Sequence, residues 1–247
     1  LRKNSESMNI EIVNNRYLKQ NLGGSLMKSL ERLPGISTID VGAGQSKPVI
    51  RGMSFNRVVV TENGIKHESQ QWGADHGLEI DQFASDRIEV TKGPASLMLG
   101  SDAIGGAIEL KQMDIPLKNS TGGVVDLIGK TNNNFTGFST MVFNRHERLY
   151  FSGRITLLNY ADYKVPTDSV DIYSYKAPLY KNRMRNTAGD EIDFHFTTGF
   201  ISNGFSTKLI LSNVYNKTDF FANTHGLEPR RDDTRLHDKS ERDIQFP

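Results

Sequence analysis

The hydrophobic pattern divides the chain into two parts that meet near residue 113. In the first part, short β-prone segments alternate with glycine-rich turns, and apolar residues between Leu22 and Leu33 recur at helical spacing. We predict a helix there, ended by Pro34-Gly35. The predicted strands of this part cover residues 9–14, 36–41, 56–61, 87–91 and 107–110.

The second part consists of longer segments in which apolar and polar residues alternate. The turn Ser202-Asn203-Gly204 is tight, whereas residues 161–188 and 219–247 form long polar connections. Tight turns and longer loops therefore fall on opposite ends of an antiparallel meander, as in outer-membrane barrels. Five strands cannot close a wide barrel, so we expect the chain to be truncated. The predicted strands cover residues 123–131, 135–144, 149–160, 192–197 and 205–215.

The stretch from Phe83 to Leu110 joins these patterns. A predicted strand is broken at Lys92-Gly93-Pro94, because proline removes a hydrogen-bond donor and glycine adopts backbone angles closed to other residues. One apolar turn follows over residues 95–99, and Gly105-Gly106 bends the chain into a last strand. So many glycines in an apolar segment indicate a backbone that is folded tightly and enclosed by surrounding structure.

This stretch resembles the plug-domain signature of TonB-dependent outer-membrane receptors, in which a strand, a KGP- or RGP-type turn, a short helix and a GG-hinged strand follow in order. The likeness is carried by Ile88–Ile108, and the elements Pro34-Gly35-Ile36 and Val49-Ile50-Arg51-Gly52 add to it. It implies an α+β plug domain over residues 8–113, with a mixed small sheet and short helices. Residues 114–247 would be the N-terminal antiparallel strands of a transmembrane β-barrel of about 22 strands when complete.

The resemblance also implies a function, namely active uptake of a scarce nutrient across the bacterial outer membrane. The implied partners are the TonB-ExbB-ExbD energy-transducing complex, outer-membrane lipid and a possible surface lipoprotein. A metal chelate is the favoured cargo, namely a ferric siderophore, haem or cobalamin. An oligosaccharide is the alternative cargo. No catalysis and no cofactor are expected, and we identify no TonB-binding box.

The segment His67–Asp81 is the predicted cargo loop, because polar residues and a single tryptophan are concentrated between a hairpin and the strand at residue 87. Imidazole and carboxylate groups suit transition metals, but no fixed helical spacing supports a metal site. Contact to a bulky metal complex, direct coordination and plain packing are the three interpretations. We predict no protein-held metal and six cargo-facing residues: His67, Gln70, Gln71, Trp72, Asp75 and His76.

Arg51 and Lys92 occupy positions where the receptor family commonly carries two plug arginines that pair with barrel glutamates. We therefore predict that both make plug–barrel contacts. Lysine keeps the charge but lacks the bidentate guanidinium fork, so the second position departs from the family pattern. Glu89 is an internal partner for either cation, and the alternative is that both are ordinary strand-edge charges.

Composition narrows the function class. The chain has 30 basic and 29 acidic residues, which argues against nucleic-acid binding, and it has no cysteine for disulfides or thiolate metal sites. No run of about 18 apolar residues predicts a membrane helix, and the polar start is not a signal peptide. No G-x-S-x-G, HExxH or Walker motif occurs, so an enzyme is the poorest rival. The main alternative is a secreted or surface-exposed β-rich binding or adhesion module without transport activity.

Overall fold

The computed structural model describes residues 2–3, 10–67, 77–172 and 175–219. Its contacts divide the chain into two compact units. The first contains residues Leu1–Asp40 and Gln45–Ile115, and the second contains Val41–Gly44 and Pro116–Pro247. Within the described residues, no helix is long and apolar enough to cross a membrane.

The first unit is built from short strands and shorter helices. The helices are α1 (Asn15–Gln20) and α2 (Leu26–Leu30), with 3-10 turns at Phe55–Arg57 and Pro94–Leu99. The described strands are β1 (Arg2–Lys3), β2 (Ile10–Asn14), β3 (Ile36–Asp40), β4 (Ser46–Ile50), β5 (Val58–Glu62), β6 (Ile65–Lys66), β7 (Arg87–Lys92) and β8 (Gly106–Lys111).

Six of these strands form one mixed sheet in the order β1-β2-β7-β8-β5-β6 among the described residues. Only the β5–β8 pair is parallel in that sheet, and β3 pairs with β4 in a separate antiparallel ribbon. The larger core lies on one side of the sheet, where aliphatic residues of β5, β7 and β8 pack against α2 and its flanks, and a smaller buried cluster of Val59, Ala103 and Ala107 lies on the other side. The predicted mixed small sheet with short helices is confirmed.

The helix predicted over residues 22–33 is shorter than expected. It begins after Ser25, whose side-chain oxygen accepts a hydrogen bond from the Lys28 backbone N–H at 3.3 Å. Gly23 and Gly24 precede this cap, and glycine is a poor helix former. The predicted apolar face is nevertheless buried at Leu26, Met27, Leu30 and Leu33. Sequence analysis missed α1.

The second unit is an antiparallel meander in the order β15-β14-β11-β10-β9. Its strands are 11 to 14 residues long, which suits the roughly ten-residue strands of membrane barrels. They are β9 (Ser120–Lys130), β10 (Phe135–His146), β11 (Leu149–Tyr160), β14 (Gly189–Ser202) and β15 (Phe205–Thr218). The predicted strand order and turns are confirmed.

The long connection between β11 and β14 is partly ordered, which the sequence analysis did not predict. It contains a two-stranded hairpin, β12 (Ser169–Ile172) and β13 (Tyr175–Pro178), and a 3-10 turn at Tyr180–Asn182. The base of this connection is tied by Asp162, whose Oδ1 accepts hydrogen bonds from the Thr187 backbone N–H and hydroxyl at 2.7 and 3.2 Å. The loop predicted over residues 219–247 lies, beyond Asp219, outside the described residues.

Candidate functional site

His67 is the one predicted cargo residue that the structure describes. Its backbone N–H donates to the Val60 carbonyl at 3.0 Å, which extends the β5–β6 hairpin. Its Nε2 lies 3.3 Å from a carboxylate oxygen of Glu62, and both side chains are mostly buried. His67 therefore sits at the root of the predicted loop. Gln70, Gln71, Trp72, Asp75 and His76 lie outside the described residues, so their cargo role stays a prediction.

The hairpin below this loop is firmly attached to its unit. Asn63 and Gly64 have positive φ angles of 52° and 85°, as a tight two-residue turn requires. Lys66 on β6 forms an ion pair with Asp102 at 2.5 Å, so the hairpin is tied to the loop between the Pro94–Leu99 turn and β8. The hydrogen bond and positive charge of Lys66 lower the pKa of the Asp102 carboxyl. His67 is thus placed on a braced support.

Three sequence elements that are far apart in the chain meet in the first unit. The Arg51 backbone N–H donates to the Gly35 carbonyl at 2.9 Å, and Lys92 donates through Nζ to the Pro34 carbonyl. Arg51 also reaches Gly93, where an added Cβ would lie 3.3 Å from the guanidinium nitrogen. The Pro34-Gly35, Arg51-Gly52 and Lys92-Gly93 elements therefore form one cluster, which sequence reasoning did not foresee.

The two cations of this cluster have different surroundings. Lys92 is buried, and its Nζ lies 2.9 Å from a carboxylate oxygen of Glu11 on β2. Arg51 is exposed, with a left-handed φ of 51°. Glu89 does not pair with either of them, contrary to expectation. It pairs with Arg87 at 3.1 Å and Lys111 at 2.8 Å, because residues 89 and 92 point to opposite faces of β7.

The turn after β7 is fixed by a buried serine. Ser96 donates through its hydroxyl to the Gly93 carbonyl at 2.6 Å and also contacts the Ala103 carbonyl. Gly93 has a φ of 83°, which L side chains rarely adopt. At Gly106 an added Cβ would lie 2.8 Å from the Thr91 carbonyl oxygen, so only glycine fits between β7 and its neighbours. The predicted tight folding of this stretch is confirmed.

The second unit has one polar and one apolar face. The polar face carries a polar row across four strands, as the pairing registers align them, in which Asp126 is half-buried and Ser139, Thr156 and Asp193 are buried. Arg154 donates to the Ser139 hydroxyl at 2.8 Å, and that hydroxyl lies 2.9 Å from the Thr156 hydroxyl. Buried polar side chains of this face are thus hydrogen-bonded to one another across strands.

The apolar face carries exposed hydrophobic side chains in register. One row crosses all five strands of the meander and contains only apolar and aromatic residues, whose exposures run from 38% at Phe138 to 75% at Leu127. The next row toward the long connections contains only glycine and polar residues. The first row is Leu127, Phe138, Leu157, Ile192 and Tyr215, and the second is Gly129, Thr136, Asn159, Asp190 and Lys217.

Comparison with known families decides the nature of the first unit. Residues 2–107 match the family model described as TonB-dependent Receptor Plug Domain. This part of the chain is a TonB-dependent receptor plug domain. The cluster at Arg51 and Lys92 and the Ser96 turn therefore lie within the matched plug domain, and the predicted resemblance is confirmed.

Relatives of the plug domain agree with this assignment. The chain is 33% identical over 87 residues to the vitamin B12 transporter BtuB of Photobacterium profundum, which covers 35% of this chain and 14% of that protein. It is 31% identical over 108 residues to the iron-regulated outer membrane virulence protein of Vibrio cholerae, covering 41% and 16%. The matched part thus spans less than a fifth of either relative.

A solved structure extends the likeness beyond the plug domain. The siderophore receptor PirA of Acinetobacter baumannii matches with a TM-score of 0.68 at 14% identity, covering 94% of this chain and 35% of that one. Because so much of the chain is covered, both the plug domain and the meander have the fold of such a receptor. The predicted fold class is confirmed.

Some residues of the Lys92 cluster and of the loop base were missed by sequence analysis. Glu11 and Pro34 hold Lys92, and Asp162 closes the long connection of the second unit. Their partners lie between 25 and 81 residues away in sequence. Alternation placed Glu11 on a face of its strand, but no local signal gives the register between β2 and β7.

Proposed function

We propose that this chain forms the plug domain and part of the membrane wall of a TonB-dependent outer-membrane receptor that takes up a metal chelate. The observation that carries the proposal is the inverted burial of the meander that follows the plug domain. On one face the hydrophobic residues are exposed, and on the opposite face polar residues such as Ser139, Thr156 and Asp193 are buried, which suits a wall with lipid on one side and a polar interior on the other.

The height of the apolar face supports this reading. On β11 the residues of that face run from Leu149 to Leu157, and Asn159 follows in the polar row. Eight steps of about 3.4 Å give about 27 Å along the strand. A tilt of about 40° reduces this to about 21 Å, close to the roughly 25 Å apolar band of outer-membrane barrels. Lipid is therefore the partner of this face.

The names of the relatives support a metal chelate as cargo. BtuB is a vitamin B12 transporter and PirA a siderophore receptor. A ferric siderophore, haem or cobalamin is accordingly the class we propose, with TonB-ExbB-ExbD as the energy source and a surface lipoprotein as a further partner. The bond chemistry of the cargo is left unchanged, so the proposed activity is transport and not catalysis.

Uptake by the full-length receptor tests the proposal. Cells that lack their own receptors for these compounds would express it and be given labelled cyanocobalamin, ferric siderophore or haem. We expect accumulation of one of the three, and its loss when TonB is deleted. Binding without TonB-dependent accumulation would contradict transport. A receptor that stays soluble and monomeric without detergent would favour the surface-exposed binding module instead.

The cargo loop is tested separately within that receptor. We propose that His67, Gln70, Gln71, Trp72, Asp75 and His76 face the cargo, and that substituting His67, Trp72 and His76 by alanine weakens cargo binding at least about tenfold. His146 is the last residue of β10 and provides a matched histidine control. Equal affinities of the triple variant and the wild type would remove the loop from the site.

We further propose that Arg51 and Lys92 contribute to the attachment of the plug domain to the surrounding wall. Arg51 is the more accessible of the two, because its side chain is exposed while that of Lys92 is buried against Glu11. Arg51→Ala in the full receptor is expected to raise passive permeability to small polar antibiotics. Lys66→Ala is the control, because its ion pair with Asp102 is internal to the plug domain.

A further inference from the structure

Strand β2 is the least embedded of the long strands in the plug sheet. It pairs with β7 over five residues, from Ile10 opposite Thr91 to Asn14 opposite Arg87, but among the described residues its other edge meets only the two-residue strand β1. One of its five residues, Val13, is buried, whereas four of five are buried in β5. Few buried contacts mean a low free energy of local opening.

Lys92 compensates for this weak embedding. Glu11 lies opposite Val90, so Lys92, two residues further along the same face of β7, is its diagonal neighbour across the two strands. The Lys92 ammonium lies 2.9 Å from the Glu11 carboxylate, and the side chains are only 4% and 12% exposed. Because both charges are largely removed from water, loss of one partner leaves an uncompensated charge and is strongly destabilising.

The same ammonium group reaches a third element. Lys92 Nζ also donates to the carbonyl of Pro34, in the turn between α2 and β3. The Lys92 side chain, at the end of the central strand β7, therefore contacts both β2 and the turn after α2. The neighbouring Arg51 guanidinium lies near Gly93. It does not take the place of Lys92 in holding β2, because Glu11 pairs with Lys92.

We propose that Lys92 is a positioning residue that latches strand β2 to the plug sheet. When the Lys92–Glu11 pair is broken, β2 separates as a unit, together with the chain that precedes it, while β7, β8 and β5 stay paired. The link to uptake rests on the proposed function, because a plug that opens in steps offers a route past itself. The separation of β2 is a property of the plug domain alone.

Hydrogen exchange in the full-length receptor tests the latch. Lys92→Met removes the cation but keeps much of the aliphatic stem. We expect amide exchange in Ile10–Asn14 to rise about 10- to 100-fold, with the β5–β8 amides unchanged. Lys111→Met is the matched control, because Lys111 pairs with Glu89 at 2.8 Å in the same sheet but is 35% exposed. The control should leave β2 protection unchanged.

Two further variants keep the proposal testable if Lys92→Met folds poorly. Glu11→Gln removes the carboxylate charge with little change in shape and should loosen β2 alone. Lys92→Arg restores the positive charge and should return most of the protection. Unchanged exchange in β2, or an equal rise in β2, β5 and β8, would overturn the latch.

Transport gives an independent readout. In a receptor that accumulates cargo, Lys92→Met should change the uptake rate while leaving cargo affinity unchanged, and Lys92→Arg should restore the rate. If β2 loosens but uptake does not change, the link to transport is wrong and the latch stands. If the receptor transports nothing, hydrogen exchange still decides the latch.

Discussion

The plug domain and the meander use opposite arrangements of the same residue types. In the plug domain, Ile88 and Ile108 are fully buried. In the meander, Leu127 is 75% exposed while Thr156 and Asp193 are fully buried. The two units therefore suit different solvents. The plug core excludes water in the usual way, whereas the apolar face of the meander needs a hydrocarbon environment.

The largest effect is expected for a truncation in the plug core. Ile108 lies in the middle of β8 and is completely buried, so Ile108→Ala removes packing and leaves a cavity, at a cost of about 2–5 kcal/mol. Hydrogen exchange of the β7 and β8 amides in the full receptor would measure it as local opening.

The matched change on the apolar face sharpens the comparison. Ile155 is 45% exposed, and detergent or lipid fills the space left by Ile155→Ala, so only the transfer term of about 1–2 kcal/mol is lost. Equal costs for Ile108→Ala and Ile155→Ala would contradict the assignment of different solvents to the two units.

After the truncation in the plug core, a charge on the apolar face is expected to have the next largest effect. Ile155 lies between Leu149 and Asn159 along the face, so Ile155→Arg is expected to cost about 2–4 kcal/mol in a bilayer. Asn159→Arg, in the polar row, should cost no more than about 1 kcal/mol. Unfolding of the receptor from liposomes by denaturant would compare them. If both arginines are tolerated equally, the assignment of lipid contact to the apolar face is wrong.

The strands and faces of the meander were predictable because alternation at period two is a local signal. Alternation placed Ile155 and Leu157 on one face of their strand and Thr156 on the other, and Ser202-Asn203-Gly204 marked the hairpin. Which face meets water is not local, since the same alternation serves a soluble sheet and a membrane wall. That step needed the family resemblance.

The details of the plug cluster were less predictable for a related reason. The Lys92–Glu11 contact depends on the register between two strands that are more than seventy residues apart in sequence. The expectation that Glu89 partners Arg51 or Lys92 was wrong, and the odd spacing of residues 89 and 92 along β7 already placed these two on opposite faces. The hairpin β12–β13 was missed because each of its strands is only four residues long.

The base of the long connection offers a smaller, pH-dependent test. Asp162 is 1% exposed, and burial raises the pKa of its carboxyl above the ordinary value of 3.8. Burial therefore makes the charged form less favourable in the folded protein than in the unfolded chain. Asp162→Asn keeps an acceptor for the Thr187 N–H and removes the charge, so the variant should melt at a higher temperature than the wild type at pH 7.

The direction with pH follows from the raised pKa. Because the pKa of Asp162 is higher in the folded protein than in the unfolded chain, protonation of this carboxyl stabilises the wild type at a pH below the unfolded-state pKa. That stabilisation is lost as the pH rises through the folded-state pKa. The advantage of Asp162→Asn in melting temperature should therefore shrink as the pH is lowered. Asp162→Ala is the control, because it leaves the Thr187 N–H without its acceptor and should destabilise at every pH.

The smallest effect is expected at an exposed ion pair of the meander. Lys118 and Glu147 lie 2.6 Å apart, but their side chains are 60% and 52% exposed. Hydrogen bonds from Lys118 and Asn119 lower the pKa of the Glu147 carboxyl, so any stabilisation is present above its ordinary pKa and is lost as the pH falls through the lowered one. Water and salt screen such a pair, so Glu147→Gln should leave the melting temperature unchanged at pH 7.

Glu11→Gln, at the buried Lys92 pair, should open β2 under the same conditions. Similar responses of the two variants would show that burial does not make these two ion pairs differ in their contribution to stability.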